Sequence, residues 1–447
     1  MKLASATMLA GVAGLALVGA IAIVPSQSAP AWAETPSIVD PVKVSVRRIT
    51  ETQYRHIVRD TFGPDIELSA RFEPDKREDG LLALGSSHLS VTSSGFEQYF
   101  GLASAIADQV FDPKRRDALV GCKPADAKKP DSTCAAQFIK QAGERLYRRP
   151  LTADEIQTRV KTAADGAAKA GNFDAGLKLA LVSMLMTPDY LFRIETAEPD
   201  PSKPNAYRLG AYSKAARLSF LLWDGSPDVE LMEAARTGAL HNEAELRKQV
   251  ARMTASPRFE EGMRAFFVDM LQLDGFDNLI KDAGAYPKFN QSVSDSAKEQ
   301  TLRTTIDLLV KKKRDYRELF TSNETVINRY LASVYKVPYP STEEWAPYTF
   351  PASAERAGIV TQVSFLALFS HPGSSSPTRR GVKLHEIFMC EPTPEPPADV
   401  DFSKVQAMAN GTVRMRLLDH MENTGCTSCH RRSDPPGLAL EHFDGLG

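Results

Sequence analysis

The chain has no surplus of positive charge. Lys and Arg number 54 against 56 Asp and Glu, for a formal net charge of −2, so nothing in the charge balance suggests nucleic acid. The one compact basic run, Lys311-Lys312-Lys313-Arg314, falls in a helical pattern and reads as a solvated face. After the first 33 residues no stretch is long and apolar enough to cross a bilayer, so no stable membrane span is expected after signal cleavage. Cysteine is scarce, at 5 in 447 residues. They form a single Cys-x-x-Cys, and no His-x-x-x-His occurs, so the second ligand pair of a zinc site is missing. No βαβ pattern accompanies the Cys-x-x-Cys, as a thioredoxin-like dithiol would require. There is also no Ser-His-Asp order, phosphate-cradling glycine loop or specific carboxylate pair to indicate hydrolysis or phosphoryl transfer.

What is present points to export. Hydrophobic residues at 43% and charged residues at 25% make a globular composition with ample apolar material. A chain of this length holds about two to four domains or one large helical body. Residues 1–33 read as a signal peptide: Lys2 opens it, Met8 to Val24 is small or apolar, and Ala31-Trp32-Ala33 offers an A-x-A cleavage site. The competing reading is a membrane anchor, and the cleavage site with the polar stretch after Val24 favours removal. An oxidising compartment permits disulfides. Cys122 and Cys134 bracket a polar loop, Lys123 to Thr133, and are expected to pair, the alternative being two unrelated thiols. Cys390 is then the odd cysteine, either a buried thiol or a neighbour of the cofactor discussed next.

The stretch Cys426-Thr427-Ser428-Cys429-His430 has the spacing of a c-type haem attachment site. Cys426 and Cys429 lie about one helical turn apart, so both thiols can reach the vinyl groups of one porphyrin. His430 then stands beside the ring, where a neutral imidazole can bind the iron. Arg431 to Gly437, with Pro435 and Pro436, reads as a stiff turn whose carbonyl could take the other ring N–H of His430. The strongest competing reading is a structural Cys426–Cys429 disulfide.

The rest of the chain predicts a mainly α, multi-helical fold. Thr50-Glu51-Thr52-Gln53 and Thr152-Ala153-Asp154-Glu155 are capping boxes. Phe96, Tyr99, Phe100, Ala103 and Ile106 share a helical spacing in a helix opened by Ser93 or Ser94. Residues Ala197 to Ala206, with three prolines, read as a linker. Ser213 is expected to cap the helix ending at Trp223, and Asn323 to Tyr335 reads as one helix. Ser376 is expected to cap a helix with Pro377 at its first position, carrying His385. No run of strand alternation is found.

Four landmarks, taken in order, resemble a family of exported proteins first noted in planctomycetes. They are Leu146 to Thr152 (LYRRPLT), Arg217 to Trp223 (RLSFLLW), Ser376 to Gly381 (SPTRRG), and Cys426 to Gly437 with Leu440 to Asp444 (LEHFD). That family combines PSD domains with a cytochrome-c-like PSCyt domain. The resemblance covers nearly all of the chain after the signal peptide. It implies PSD-like helical domains at 47–112, 132–196 and 206–337, a PSCyt-like domain at 355–447, one covalent haem c on Cys426, Cys429 and His430, and export to the periplasm or cell envelope. It supplies no substrate. Similar chains usually continue past the Phe-Asp-x-x-Gly stretch, whereas this sequence stops at Gly447, as a shortened member or a fragment would.

An electron carrier usually has a second axial ligand. His442 is the one Met or His after His430, and Met389, Met408, Met415, Met421, His371, His385 and His420 are the upstream candidates. Electron transfer to a redox partner is the expected function. A haem enzyme with an open iron that activates peroxide or a small ligand is the second expectation, and a non-haem envelope scaffold the third. Mass spectrometry of unreduced peptides is expected to recover Cys122 and Cys134 in one linked species; separately alkylated peptides would break that pairing.

Overall fold

The computed structural model describes residues 45–447 apart from 70, 340, 394–411, 416 and 418–423, and gives the backbone but not the side chains of Thr424, Cys426 and Ser428. The chain is mainly helical, as the apolar periodicity predicts. Helix α1 (Glu51–Phe62) opens on the Thr50–Gln53 capping box and buries Tyr54, Ile57, Val58 and Phe62. Helix α2 (Ser93–Val110) is capped by Thr92, and α3 (Ser132–Tyr147) by Asp131. Helix α4 (Ala153–Ala170) opens on the Thr152–Glu155 box, and α5 (Phe173–Leu185) follows it. These five helices bury one core. In α2 the inner face is Tyr99, Leu102, Ala103 and Ile106, while Phe96 and Phe100, expected on that face, are each 53% exposed. A helix buries one stripe, and these two phenylalanines fall beside it. Cys122 and Cys134 form a disulfide with their Cα atoms 5.6 Å apart, tying the chain before α3 to its first turn.

Buried basic side chains hold the irregular connections. Strand β1 (Val46–Arg48) pairs antiparallel with β2 (Phe192–Ile194). From β1, buried Arg48 reaches Glu73 at 2.7 Å, Asp75 at 3.1 Å and the carbonyl of Pro74 at 2.7 Å. It thereby pins a loop that has little apolar material of its own. Arg148, also buried, donates to the carbonyls of Leu146, Asp189 and Phe192. Burial brings its pKa down to about 10. Arg149 beside it pairs with Glu155 at 2.7 Å and Asp189 at 2.6 Å.

The proline-containing segment expected as a linker is a hairpin. Strand β3 (Ala197–Pro199) pairs antiparallel with β4 (Tyr207–Leu209). Pro199 ends its strand, where a missing N–H costs least. Helices α6 (Ala211–Trp223), α7 (Val229–Arg236) and α8 (Glu243–Ala255) build a second core around Trp223, whose Nε1 donates to the Met253 carbonyl. Ser213 lies inside α6 instead of capping it, and its hydroxyl accepts the Thr196 N–H at 2.9 Å. A residue favoured at caps is here used across chain segments.

The third core holds the last landmarks. It packs α9 (Phe259–Met270), α10 (Gln291–Ile306), α11 (Arg329–Tyr335) and α12 (Val363–Leu368) with Leu440, Phe443 and Leu446. Residues Asn323 to Tyr335 are not one helix. Thr325, Val326 and Ile327 lie in β5 (Glu324–Ile327), paired antiparallel with β6 (Ala346–Thr349), and Asn328 then caps α11. β-Branched side chains favour the strand, and an Asn cap resets the chain to helix. Strands of three or four residues are too short to show an alternation in sequence. Because this core joins residues from Phe267 onward to Leu446, it crosses the expected boundary between 337 and 355.

Candidate functional site

Two helices built from sequence-visible signals frame the site. Ser376 caps α13 (Pro377–Phe388), with Pro377 at its first position. The haem-type motif starts α14 (Thr424–Leu438), which places Cys426, Cys429 and His430 on one helix. That helix continues through Pro435 and Pro436, where a turn is expected. The prolines withdraw hydrogen bonds from the carbonyls of Arg431 and Arg432. Both residues are exposed, so water can satisfy those carbonyls, while the opposite face is locked against α13.

That lock is a contact of backbones. A Cβ at Gly381 would lie 1.6 Å from the Ser433 carbonyl oxygen, and one at Gly437 would lie 1.8 Å from the Pro377 carbonyl oxygen. Only glycine permits this approach. With Pro377 at Gly437, Thr378 at Asp434 and Gly381 at Ser433, the two helices run antiparallel. Asp434 is fully buried in the crossing. Its Oδ2 lies 2.9 Å from His430 Nδ1, and its Oδ1 accepts the Thr378 hydroxyl at 2.8 Å and the Ser433 hydroxyl at 3.2 Å. The expected acceptor for His430 was a carbonyl in a turn; the acceptor is a carboxylate one helical turn on. A carboxylate there keeps the proton on Nδ1 and leaves the lone pair on Nε2. The i, i+4 spacing of His430 and Asp434 was the signal that could have found it.

The same helices anchor the end of the chain. Arg380, buried within α13, donates to the carbonyls of Leu440 at 3.2 Å, Phe443 at 2.9 Å and Asp444, and approaches Glu441 at 3.3 Å. Tyr286 accepts the Gly445 N–H at 2.9 Å. Beside them Lys281 donates to the Ser370 hydroxyl at 2.6 Å and the His371 carbonyl at 3.1 Å. Burial, with Arg379 and Arg380 nearby, pushes the Lys281 pKa down to about 8. The Trp223-Asp224-Gly225 end of α6 is also tied across segments. Asp224 accepts from Gln53 at 3.0 Å and lies against His56, and burial raises its carboxyl pKa to about 6.

The remaining candidates are dispersed. His442 is 67% exposed and pairs with Glu355 at 2.9 Å. Met389 and Met415 are exposed, and so is Cys390, which corrects the expectation of a buried thiol. Cys390 follows α13 with a φ of 55°, a bend that turns it outward. His371 lies in the exposed loop before α13. Met408, His420 and Met421 lie outside the described residues. Among the described residues no three His, Cys, Asp or Glu side chains converge to hold a metal ion by themselves. A haem iron makes a smaller demand, since the porphyrin supplies its equatorial nitrogens and the chain adds axial ligands. A half-buried imidazole with its Nδ1 proton fixed on a carboxylate fits that demand.

Four protein-family models match the chain. They are PSD3 at residues 47–112, PSD5 at 134–195, PSD4 at 209–337 and PSCyt3 at 356–447, each described as a protein of unknown function. No curated protein and no solved structure matches it. No described helix is long and apolar enough to cross a membrane.

Two measurements test this framework. Gly381→Ala should lower unfolding free energy by about 3 kcal/mol, the upper range for overpacking. Gly101→Ala, with nothing within 4 Å of its added Cβ, should instead gain about 0.5–1 kcal/mol. Urea titrations of both would show whether the crossing is as tight as described. For Lys281, the folded chain releases its proton near pH 8 and the unfolded chain near 10.5. Between those values the unfolded state binds more protons, so stability should rise with pH, the burial penalty being fully present below about pH 8. Lys281→Met should flatten that rise in urea midpoints taken across the window; an unchanged slope would assign it to another group.

Proposed function

Since the chain is a member of the planctomycete-type family that combines PSD domains with a PSCyt domain, we propose that it is an exported c-type haem protein that carries electrons. The observation that carries this reading is the hydrogen bond between His430 Nδ1 and the buried Asp434 carboxylate. Cys426 and Cys429 would hold the vinyl carbons as thioethers, and His430 Nε2 would bind the iron. When bound, the haem supplies a one-electron iron couple. Asp434 makes the imidazole a stronger donor and favours the oxidised iron, while Thr378 and Ser433 keep the carboxylate in place. Cys429 and His430 are only half-buried, so a haem edge there would be reachable by a redox partner protein. The signal-peptide pattern of residues 1–33 supports export to the periplasm or envelope. The Cys122–Cys134 disulfide is at home in the same compartment.

The test is expression in a periplasm that matures c-type cytochromes, followed by haem staining of denaturing gels and optical spectra before and after dithionite. The wild-type band should stain and show sharp reduced c-type bands. Cys429→Ala should weaken or abolish the stain. An equally strong stain in the variant would remove the attachment role of Cys429, and a colourless wild type would reduce Cys426 and Cys429 to a structural pair.

A further inference from the structure

A second imidazole stands on the helix that clasps the motif. His385 lies on α13, one helical turn past Gly381 on the same face. The antiparallel register that puts Pro377 at Gly437 and Gly381 at Ser433 brings this next turn of α13 level with Cys429 and His430 on α14. The chain then folds back on the same point. The N–H groups of Met389 and Glu391 both donate to the His385 carbonyl, at 3.1 Å each. This return places the Glu391 carboxylate 2.7 Å from His385 Nδ1 and 2.5 Å from Arg432, two residues after His430. His385 is thus tied to the motif helix through Glu391, and its side chain is only 15% exposed.

The two histidines carry the same arrangement. Each has Nδ1 against a carboxylate, Asp434 for His430 and Glu391 for His385. This fixes the proton on Nδ1 and puts the lone pair on Nε2, as metal-binding imidazoles require. Among the other described candidates, His442 also sets its Nδ1 against a carboxylate, Glu355 at 2.9 Å, but it is 67% exposed where His385 is 15% exposed, and Met389 and Met415 are exposed. We propose that His385 is the second axial ligand, giving a haem held between imidazoles from α13 and α14. The assignment rests on the haem reading above. It makes the iron six-coordinate and low-spin, and so closed to peroxide and small ligands, which favours the carrier over the ligand-activating enzyme.

The full chain, matured with haem, provides the test through ferric electron paramagnetic resonance and optical spectra. Wild type should be low-spin, without the long-wavelength band of a methionine sulfur–iron bond. His385→Ala should keep its covalent haem stain but turn high-spin and bind carbon monoxide rapidly once reduced. His385→Met, which keeps much of the side-chain volume should the alanine variant fail to fold, should return to low spin with the methionine band and a higher midpoint potential. His442→Ala should match wild type. A high-spin wild type, or a low-spin His385→Ala with the wild-type spectrum, overturns the assignment while leaving haem attachment intact; the second outcome points to a ligand within residues 394–423. A wild type without covalent haem overturns the haem reading itself, and this assignment with it.

Discussion

The closest constraint in this protein is the backbone contact between α13 and α14. Gly381 and Gly437 each admit a carbonyl oxygen of the other helix where any side chain would collide. The contact does three jobs at once. It holds α14 helical through two prolines that would otherwise end it. It buries Asp434 deeply enough that its carboxylate is fixed by Thr378, Ser433 and His430 instead of by water. It also sets the register between the helices, and with it the level at which His385 meets the Cys426–His430 motif. The proposed ligand role of His430 would need its ring orientation fixed by a neighbour that itself cannot move, and the glycine crossing holds Asp434 in that way.

The landmarks that carry the family resemblance turn out to be mechanical. In the Leu146 to Thr152 stretch, Arg148 fills the carbonyls around Asp189 and Phe192, and Arg149 bridges Glu155 and Asp189. In the Ser376 to Gly381 stretch, Arg380 collects the carbonyls of Leu440, Phe443 and Asp444. In the Arg217 to Trp223 stretch, Arg217 meets the buried Glu195 at 2.6 Å and Trp223 bonds the Met253 carbonyl. A guanidinium has several donors in a rigid plane and keeps its charge when buried, so it can satisfy several carbonyls of an irregular segment together. Such positions are demanding in sequence without doing any chemistry. By this reading the only landmark with a chemical role is the last.

The helix content was legible in the chain, because it rests on local physics. The Thr50 and Thr152 capping boxes, the Ser376 cap with Pro377 behind it, and the inward stripe of α1 depend on residues three or four apart, and they form as expected. The errors fell where a local preference was overridden. Ser213 looked like a cap and became a cross-segment acceptor. The prolines after Ala197 looked like a linker and lie in a hairpin. Phe96 and Phe100 looked like core and are exposed.

The same division holds at the site. The sequence by itself determined the Cys426-x-x-Cys429-His430 spacing on which the proposed haem reading rests, because covalent attachment would need only a short fixed spacing. It also determined that no second Cys-x-x-Cys competes for a metal. Tertiary structure alone decided what surrounds that pattern. The burial of Asp434, the partnership of His385 with Glu391 and Arg432, and the anchoring of Leu440 to Asp444 by Arg380 join residues far apart in the chain. Their pairing depends on two glycines meeting across a helix crossing, and a contact of that kind leaves no periodic trace in sequence, because neither glycine differs locally from any other.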